Sequence, residues 1–136
     1  MERNLTMSNN NPEIGTIGWT DLTIKNAEEI RDFYKKVVGW KAEPLSMGQY
    51  DDYVMNTPET ETSVAGICHA RGINSELPAQ WLIYITVENV DNSVALCKKL
   101  GGKILVQPKN YGDIGTYCII QDPAGAVCAL FQQKDD

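Results

Sequence analysis

The stretch Asp122–Gln132, DPAGAVCALFQ, joins a tight turn to an apolar run that is too short for a helix. Asp122 supplies a carboxylate that accepts a local backbone N–H, Pro123 presets φ at the second turn position, and Gly125 closes the turn. We therefore predict that residues 126–132 form the last strand of the fold, with a register set by the turn.

An alternating pattern marks residues 18–26, GWTDLTIKN, as a half-buried strand. Leu22 and Ile24 share one face of this strand. The opposite face carries Trp19, Asp21 and Thr23. A helix is predicted to follow directly, because Asn26 is a suitable cap and Glu29 completes a variant of the capping box.

The predicted helix has one apolar stripe that we expect to pack against a sheet. The stripe consists of Ile30, Phe33, Tyr34, Val37 and Val38. Gly39 is predicted to end the helix, because glycine adopts the left-handed backbone conformation of a helix end at the lowest energetic cost. Three further strands are predicted at 40–44, 49–55 and 63–70.

The pattern then restarts after a linker-like segment at 71–80, RGINSELPAQ. Residues 81–89 alternate again as a strand, and a second helix is predicted from Val90 to Leu100. Sliding the chain by 63 residues gives five identities with Thr86, Asn89, Lys98, Lys99 and Gly102. The chain therefore contains two copies of a βαβββ unit, and the second copy closes with strands at 103–107, 116–121 and 126–132.

We name the side of each sheet that is turned away from its helix the distal face. In the first strands this side mixes polar residues with Trp19 and Leu82, whereas the helix side is aliphatic. The polar residues are Asp21, Thr23, Tyr84 and Thr86. A face of this mixed character is typical of a ligand cavity, and a wet sheet face or a dimer contact is the alternative.

Composition excludes several classes of function. The net charge is −6 and the basic residues are scattered among acids, which argues against nucleic-acid binding. No stretch approaches the roughly 20 apolar residues of a membrane span. Residues 1–15 are rich in Asn and lack the apolar core of a signal peptide, so we expect a disordered lead-in and a cytoplasmic protein.

The four cysteines, at 68, 97, 118 and 128, form no CxxC pair, and the chain has a single histidine. This spacing indicates neither a zinc cassette nor a disulfide framework, and we expect buried, reduced thiols. Cys68 and His69 are adjacent in a strand and point to opposite faces, so they are a poor catalytic pair. We expect His69 to be exposed near a strand end.

The repeat resembles the glyoxalase, bleomycin-resistance and dioxygenase superfamily, also called the vicinal oxygen chelate fold. The similarity covers about 17–132 and is clearest in VENVDNSVALCKKLGGKILVQP at 87–108, in IGTY at 114–117 and in QDPAGAVCALFQ at 121–132. It implies an α+β fold of two βαβββ modules, at 16–70 and 81–132, with a linker at 71–80 and a tail at 133–136. Their curved mixed sheets would pair around a pocket, within one chain or across a dimer.

The resemblance also implies a divalent metal held by His or Gln early in a first strand and by Glu in a last strand, where it polarises substrate oxygens. The corresponding positions in this sequence are Trp19, Leu82, Gly66 and Ala129, none of which coordinates a metal. A slip of two residues brings oxygen only from Asp21 and Tyr84, with Cys68 as the remaining polar group. We therefore expect no cofactor, and a divalent metal on other ligands is the alternative.

Asp21 is the first candidate for a functional residue, as a general base, because a carboxylate is costly to bury without a purpose. A purely structural Asp21 is the alternative. The loop at 109–115 is expected at the pocket mouth by family resemblance. The candidate ligand-binding residues are Trp19, Asp21, Thr23, Leu82, Tyr84, Tyr111 and Ala129.

These observations predict a protein that binds a small organic molecule in a pocket between the modules and lacks the usual metal site. One alternative is an enzyme of the glyoxalase type, a lyase, isomerase or dioxygenase with or without a metal. Another is a protein that sequesters an antibiotic. A homodimer is expected as the partner. The sequence does not decide whether the modules pair within a chain or by exchange between two, because a linker of about ten residues permits either.

Overall fold

The computed structural model describes residues 13–135, so most of the expected disordered lead-in lies outside the described residues. Within this range the chain forms eight strands and two α-helices in the order βαβββ, repeated once. The elements are β1 Ile17–Ile24, α1 Ala27–Val37, β2 Lys41–Ser46, β3 Asp51–Asn56, β4 Ser63–His69, β5 Trp81–Thr86, α2 Val90–Lys99, β6 Lys103–Tyr111, β7 Gly115–Gln121 and β8 Val127–Gln133. The predicted α+β class with two βαβββ modules and mixed sheets is confirmed.

The chain divides into two compact units. The first module comprises Thr20–Trp81. The second module begins at Leu82 and also includes the described residues up to Trp19, whose backbone joins its sheet. Gly15 N–H donates to the Thr86 carbonyl at 2.8 Å, and Thr86 N–H donates to the Thr16 carbonyl at 2.9 Å. The predicted linker contains a short 3₁₀ turn at Gly72–Asn74.

In the first module the strand order is β2-β3-β4-β1, antiparallel except for the parallel pair of β1 and β4. Its helix-side core has buried Leu22, Ile67 and Met55 at its centre. Aromatic residues pack at the border of this core. The Tyr34 ring contacts the Trp81 ring edge-on, and the Tyr34 hydroxyl accepts the Trp81 indole N–H at 3.1 Å. Trp81 is therefore a core residue of the first module.

In the second module the order is β5-β8-β7-β6, with the same mixture of one parallel and two antiparallel pairs. Its helix-side core is aliphatic and contains thiols. The buried members are Val90, Val94, Cys118 and Leu130. The two modules thus share a backbone plan and differ in the chemistry of their cores.

The turn at Asp122 forms as predicted and fixes the start of β8. One oxygen of the Asp122 carboxylate accepts the backbone N–H groups of Ala124 and Ala126, at 2.8 and 3.0 Å. Gly125 adopts φ of +95° and donates its N–H to the Asp122 carbonyl. Local side-chain chemistry alone therefore specifies this turn.

The apolar stripe of α1 is only partly buried, which corrects the sequence-based expectation. Ile30 and Tyr34 pack against the core, as predicted. Phe33 and Val37 are 52% and 64% exposed. They lie on a flank of the helix that the described sheet does not cover.

Candidate functional site

The distal face of the first module carries a buried carboxylate, Asp21, in the middle of β1. The parallel pairing of β1 and β4 places Asp21 opposite Gly66, so no side chain from β4 stands beside it at that position. Asp21 is 5% exposed and Thr23, two residues on, is 6% exposed. Both side chains are therefore buried, and a carboxylate at such depth needs polar neighbours.

A second buried carboxylate of the distal face, Asp52, lies on β3. Asp52 is 8% exposed and accepts the backbone N–H of His69 at 2.9 Å. The thiol of Cys68 also hydrogen-bonds to Asp52. Burial, reinforced by the charges of Asp21 and Asp52, raises the pKa of the Cys68 thiol far above its ordinary value. Cys68 is therefore a neutral donor, not a nucleophile.

His69 bridges β3 and α1, and the expectation that it is exposed was wrong. Its Nδ1 lies 3.3 Å from Asp52 Oδ1, and its Nε2 lies 3.1 Å from Glu28 Oε2. Only 11% of the His69 side chain is exposed. The pKa of Glu28 is lowered by a hydrogen bond to its own backbone and then by His69. Sequence alternation did not predict that the His69 imidazole would be buried against Asp52.

The distal face of the second module is aromatic at the positions where the first module is acidic. Tyr84 on β5 stands opposite Ala129 on β8, in the same register as Asp21 and Gly66. Tyr117 on β7 contacts both Tyr84 and Tyr111, with ring centroids 6.5 and 5.6 Å apart. Tyr111 is 38% exposed, so this row of rings, the tyrosine row, reaches from the buried sheet to the surface.

The other predicted ligand-binding residues differ in exposure. Leu82 and Ala129 are fully buried in the second module, at 1% and 0% exposure. Trp19 is half-buried on β1. The expected loop at 109–115 begins as strand, because β6 extends to Tyr111 before the turn.

The four positions that correspond to metal ligands in the resembled family bear side chains that do not fit a metal. They are Trp19, Gly66, Leu82 and Ala129. Among residues 13–135, no three His, Cys, Asp or Glu side chains converge in a way that could hold a metal ion. The donor set of the described chain therefore does not match the metal site of that family.

The cysteines of the described chain are free, and none forms a disulfide. Cys118 is buried between α2 and the sheet, and burial together with nearby Cys128 and Cys97 raises its pKa to about 11. This thiol is therefore protonated at neutral pH, as expected for a core residue.

Asp52 and Tyr117 are distal-face residues of the candidate sites that the sequence analysis did not identify. Both precede a helix-side core residue of a middle strand, Tyr53 and Cys118 respectively. Alternation around those buried residues is the signal that would have placed them on the distal face.

The described chain is thus a βαβββ repeat with a polar distal face in one copy and an aromatic one in the other. A family model described as the glyoxalase, bleomycin resistance protein and dioxygenase superfamily matches residues 16–130. This chain therefore belongs to that superfamily.

Relatives with known sequences are similar over most of this chain. A Mycobacterium tuberculosis protein, CFP32, whose name places it provisionally among the glyoxylases, is 30% identical over 87% of this chain and 46% of its own length. The anthracycline biosynthesis protein DnrV of Streptomyces peucetius is 23% identical over 88% of this chain and 47% of its own length. The chain thus spans about half the length of the curated relatives that it matches.

Solved structures share the fold at low sequence identity. A Streptomyces coelicolor methylmalonyl-CoA epimerase is 12% identical with a TM-score of 0.57, covering 89% of this chain and 96% of the epimerase. A homoprotocatechuate 2,3-dioxygenase from B. fuscum is 17% identical with the same TM-score, covering 91% of this chain and 34% of the dioxygenase. No helix among the described residues is long and apolar enough to cross a membrane.

Proposed function

We propose that this chain binds a small, flat organic molecule along the tyrosine row of the second module, without the usual metal of its superfamily. The observation that carries the proposal is the contact of Tyr117 with both Tyr84 and Tyr111 on one sheet face. Ring faces and edges offer stacking surface at little entropic cost, and their hydroxyls orient a ligand with polar substituents.

Binding without a metal is part of the same proposal. Tyr84 lies opposite Ala129, where the metal enzymes of the resembled family carry Glu. Elemental analysis of protein purified without chelators tests this point. Less than about 0.1 equivalent of Zn, Ni, Mn or Fe is expected, and a stoichiometric metal would contradict it.

Ligand binding is tested by fluorescence titration and thermal shift with 1,4-dihydroxyanthraquinone, chosen because one relative is named for anthracycline biosynthesis. Saturable binding is expected, and ligand at 100 times Kd should stabilise the fold by about 2.7 kcal/mol. Tyr111→Ser should weaken binding by up to roughly tenfold, since stacking on one ring is worth about 0.5–1.5 kcal/mol. Tyr50→Ser is the matched control, because Tyr50 contacts His69 in the first module instead. Equal losses in both variants would contradict the proposal.

A second candidate function is metal-independent proton abstraction by Asp21, as in a lyase or isomerase. The observation in its favour is the burial of Asp21 beside a neutral thiol, Cys68, since burial is the usual means of raising the basicity of a carboxylate. Incubating the adduct of a 2-oxoaldehyde and a thiol with protein in D₂O tests it by NMR. Deuterium incorporation that is lost in Asp21→Asn would establish catalysis. Recovery of unchanged probe would favour binding, or sequestration of an antibiotic, over an enzyme.

We also propose a homodimer in the cytoplasm. Exposed apolar residues occupy the same repeat positions at both helices, and they suit burial in an interface. They are Phe33 and Val37 in α1, Leu96 in α2 and Leu100 at the C-cap of α2. Free thiols suit a reducing compartment. Light scattering at low micromolar concentration should give twice the 15.1 kDa chain mass, and a monomer mass would contradict the dimer.

A further inference from the structure

The first module has a cleft on the helix side of its sheet, opposite the face that carries Asp21. The cleft has a volume of about 260 Å³ and lies between α1 and the outer strands β2 and β3. Its lining residues are Arg31, Lys35, Ala42, Pro44, Asp51 and Tyr53. This volume is room for a small organic molecule, and it is below the roughly 300–1,000 Å³ of a pocket for a drug-sized one.

Arg31 is held in position at the wall of this cleft. Its Nε donates to Asp32 Oδ1 at 2.9 Å, and its Cζ lies 4.6 Å from the centroid of the buried Tyr53 ring. The side chain is only 24% exposed. Within residues 13–135 the terminal guanidinium nitrogens have no hydrogen-bond partner, so donors are fixed in direction and remain available.

Lys35 adds a second positive charge one helical turn away. Residues four apart lie on the same helix face, so both cations border the same cleft. In the described part of the chain Lys35 makes no salt bridge within 4.0 Å. These two cations share the cleft with the carboxylate of Asp51, and Arg31 is also ion-paired with Asp32.

We propose that this cleft binds a small organic carboxylate, a ligand separate from the one on the tyrosine row. The planar guanidinium of Arg31 matches a carboxylate geometrically, and Lys35 supplies a further charge. Ala42 and Pro44 provide an apolar wall for the body of the ligand. The carboxylate of Asp51 at the border disfavours a dianion such as a phosphate monoester.

The test is an NMR titration of ¹⁵N-labelled full chain with benzoate and, separately, with phenyl phosphate. Benzoate is expected to saturate shifts at residues around the cleft and to bind more tightly than phenyl phosphate. Arg31→Gln and Lys35→Gln should each weaken benzoate binding, Arg31→Gln by roughly tenfold because a charge-assisted hydrogen bond is lost. Lys36→Gln is the matched control, because its neighbour Lys35 borders the cleft and Lys36 does not.

Several outcomes would overturn the proposal. They are a wild-type chain that does not bind benzoate, tighter binding of phenyl phosphate, and an equal loss of affinity in Lys36→Gln. Asp51→Asn guards against misfolded variants, because removing the bordering negative charge should strengthen benzoate binding by about twofold or more. A weaker affinity in that variant would also count against the cleft. The tyrosine-row titration uses a different probe at a different site, so its outcome is independent of benzoate binding at the cleft.

Discussion

The two modules place opposite chemistry on equivalent sheet positions. In the first module the distal face carries Asp21, Asp52 and Cys68, and the aromatic residues lie in the helix-side core. In the second module the distal face carries the tyrosine row, and the helix-side core is aliphatic. A repeat therefore fixes a backbone and leaves each face free to acquire its own function.

The registers make this comparison specific. Asp21 lies opposite Gly66 in one module and Tyr84 lies opposite Ala129 in the other. A residue without a bulky side chain thus stands beside the functional candidate in both sheets. The acidic face suits polar or cationic groups, and the aromatic face suits flat apolar ones.

Gly115→Ala is expected to have the largest effect, because it removes the space that the aromatic face of the second module requires. An added Cβ would lie 2.1 Å from the Gln132 carbonyl oxygen and 2.9 Å from the Phe131 ring. We expect a loss of about 3 kcal/mol or more in the free energy of unfolding, measured with urea. Gly112→Ala is the control, since nothing lies within 4 Å of its Cβ and only its φ of +59° is unfavourable, at a cost of about 1 kcal/mol. Similar losses in the two variants would show that crowding is not the cause.

Asp52→Ala tests the acidic face of the first module. It leaves the part-buried backbone N–H of His69 and the Cys68 thiol without their acceptor, so about 2 kcal/mol of stability should be lost. Asp52→Asn keeps one acceptor oxygen and should retain roughly half of that stability. Denaturation of both variants at pH 7 is the measurement. An Asn variant as unstable as the Ala variant would indicate that the charge of Asp52, and not its hydrogen bonds, stabilises the fold.

Alkaline pH should destabilise both modules through their buried thiols. Burial raises the pKa of Cys118 from the ordinary 9.0 to about 11, and it also raises the pKa of Cys68. Below pH 9 the thiols are protonated in the folded and the unfolded chain, and their contribution to the free energy of unfolding is complete. Above pH 9 the unfolded chain loses its thiol protons before the folded chain does. The free energy of unfolding therefore falls as pH rises from about 9 to 11. The slope per thiol should approach about 1.4 kcal/mol per pH unit.

Replacing each thiol separates the two modules in this experiment. Cys68→Ala and Cys118→Ala should each reduce the slope of the free energy of unfolding against pH between about 9 and 11. Parallel slopes for the wild-type chain and both variants would show that these thiols are not the titrating groups.

The helix caps give the smallest expected difference between the modules. The Asn89 side chain accepts the N–H of Asn92 at 2.9 Å, so Asn89→Ala should cost about 1 kcal/mol. The Asn26 side chain makes no cap bond and instead donates to Glu29 at 3.1 Å. Asn26→Ala should therefore cost only a few tenths of a kcal/mol, measured by thermal and urea unfolding. Equal costs would mean that Asn26 caps α1 in solution.

Local rules predicted the parts of this fold that depend on neighbours in sequence. The turn at Asp122 and the glycine at position 39 formed as expected, whereas the side-chain cap predicted at Asn26 did not. Alternation correctly placed Leu22 and Asp21 on opposite faces of β1. In each case the residues that decide the conformation lie within a few positions of one another.

The remaining features depend on contacts between distant segments. The exposure of Phe33 follows from how far the sheet extends beneath α1, which helical periodicity does not specify. The inward position of His69 depends on Asp52, 17 residues earlier, and on Glu28, 41 residues earlier. The candidate site was therefore predicted in part: Asp21, Tyr84 and Tyr111 were identified from sequence, whereas Asp52 and Tyr117 required the strand register.

The hydrogen bonds between Thr86 and the segment around Thr16 have a practical consequence for expressing the second module as a separate fragment. A fragment cut at the 71–80 linker would begin the second module with β5 as an uncovered edge strand, lacking the backbone partner that residues 15 and 16 supply. Such an edge invites pairing between molecules and aggregation. A soluble second module would instead need residues 13–19 fused ahead of β5, so the boundary for expression is not the boundary of the repeat.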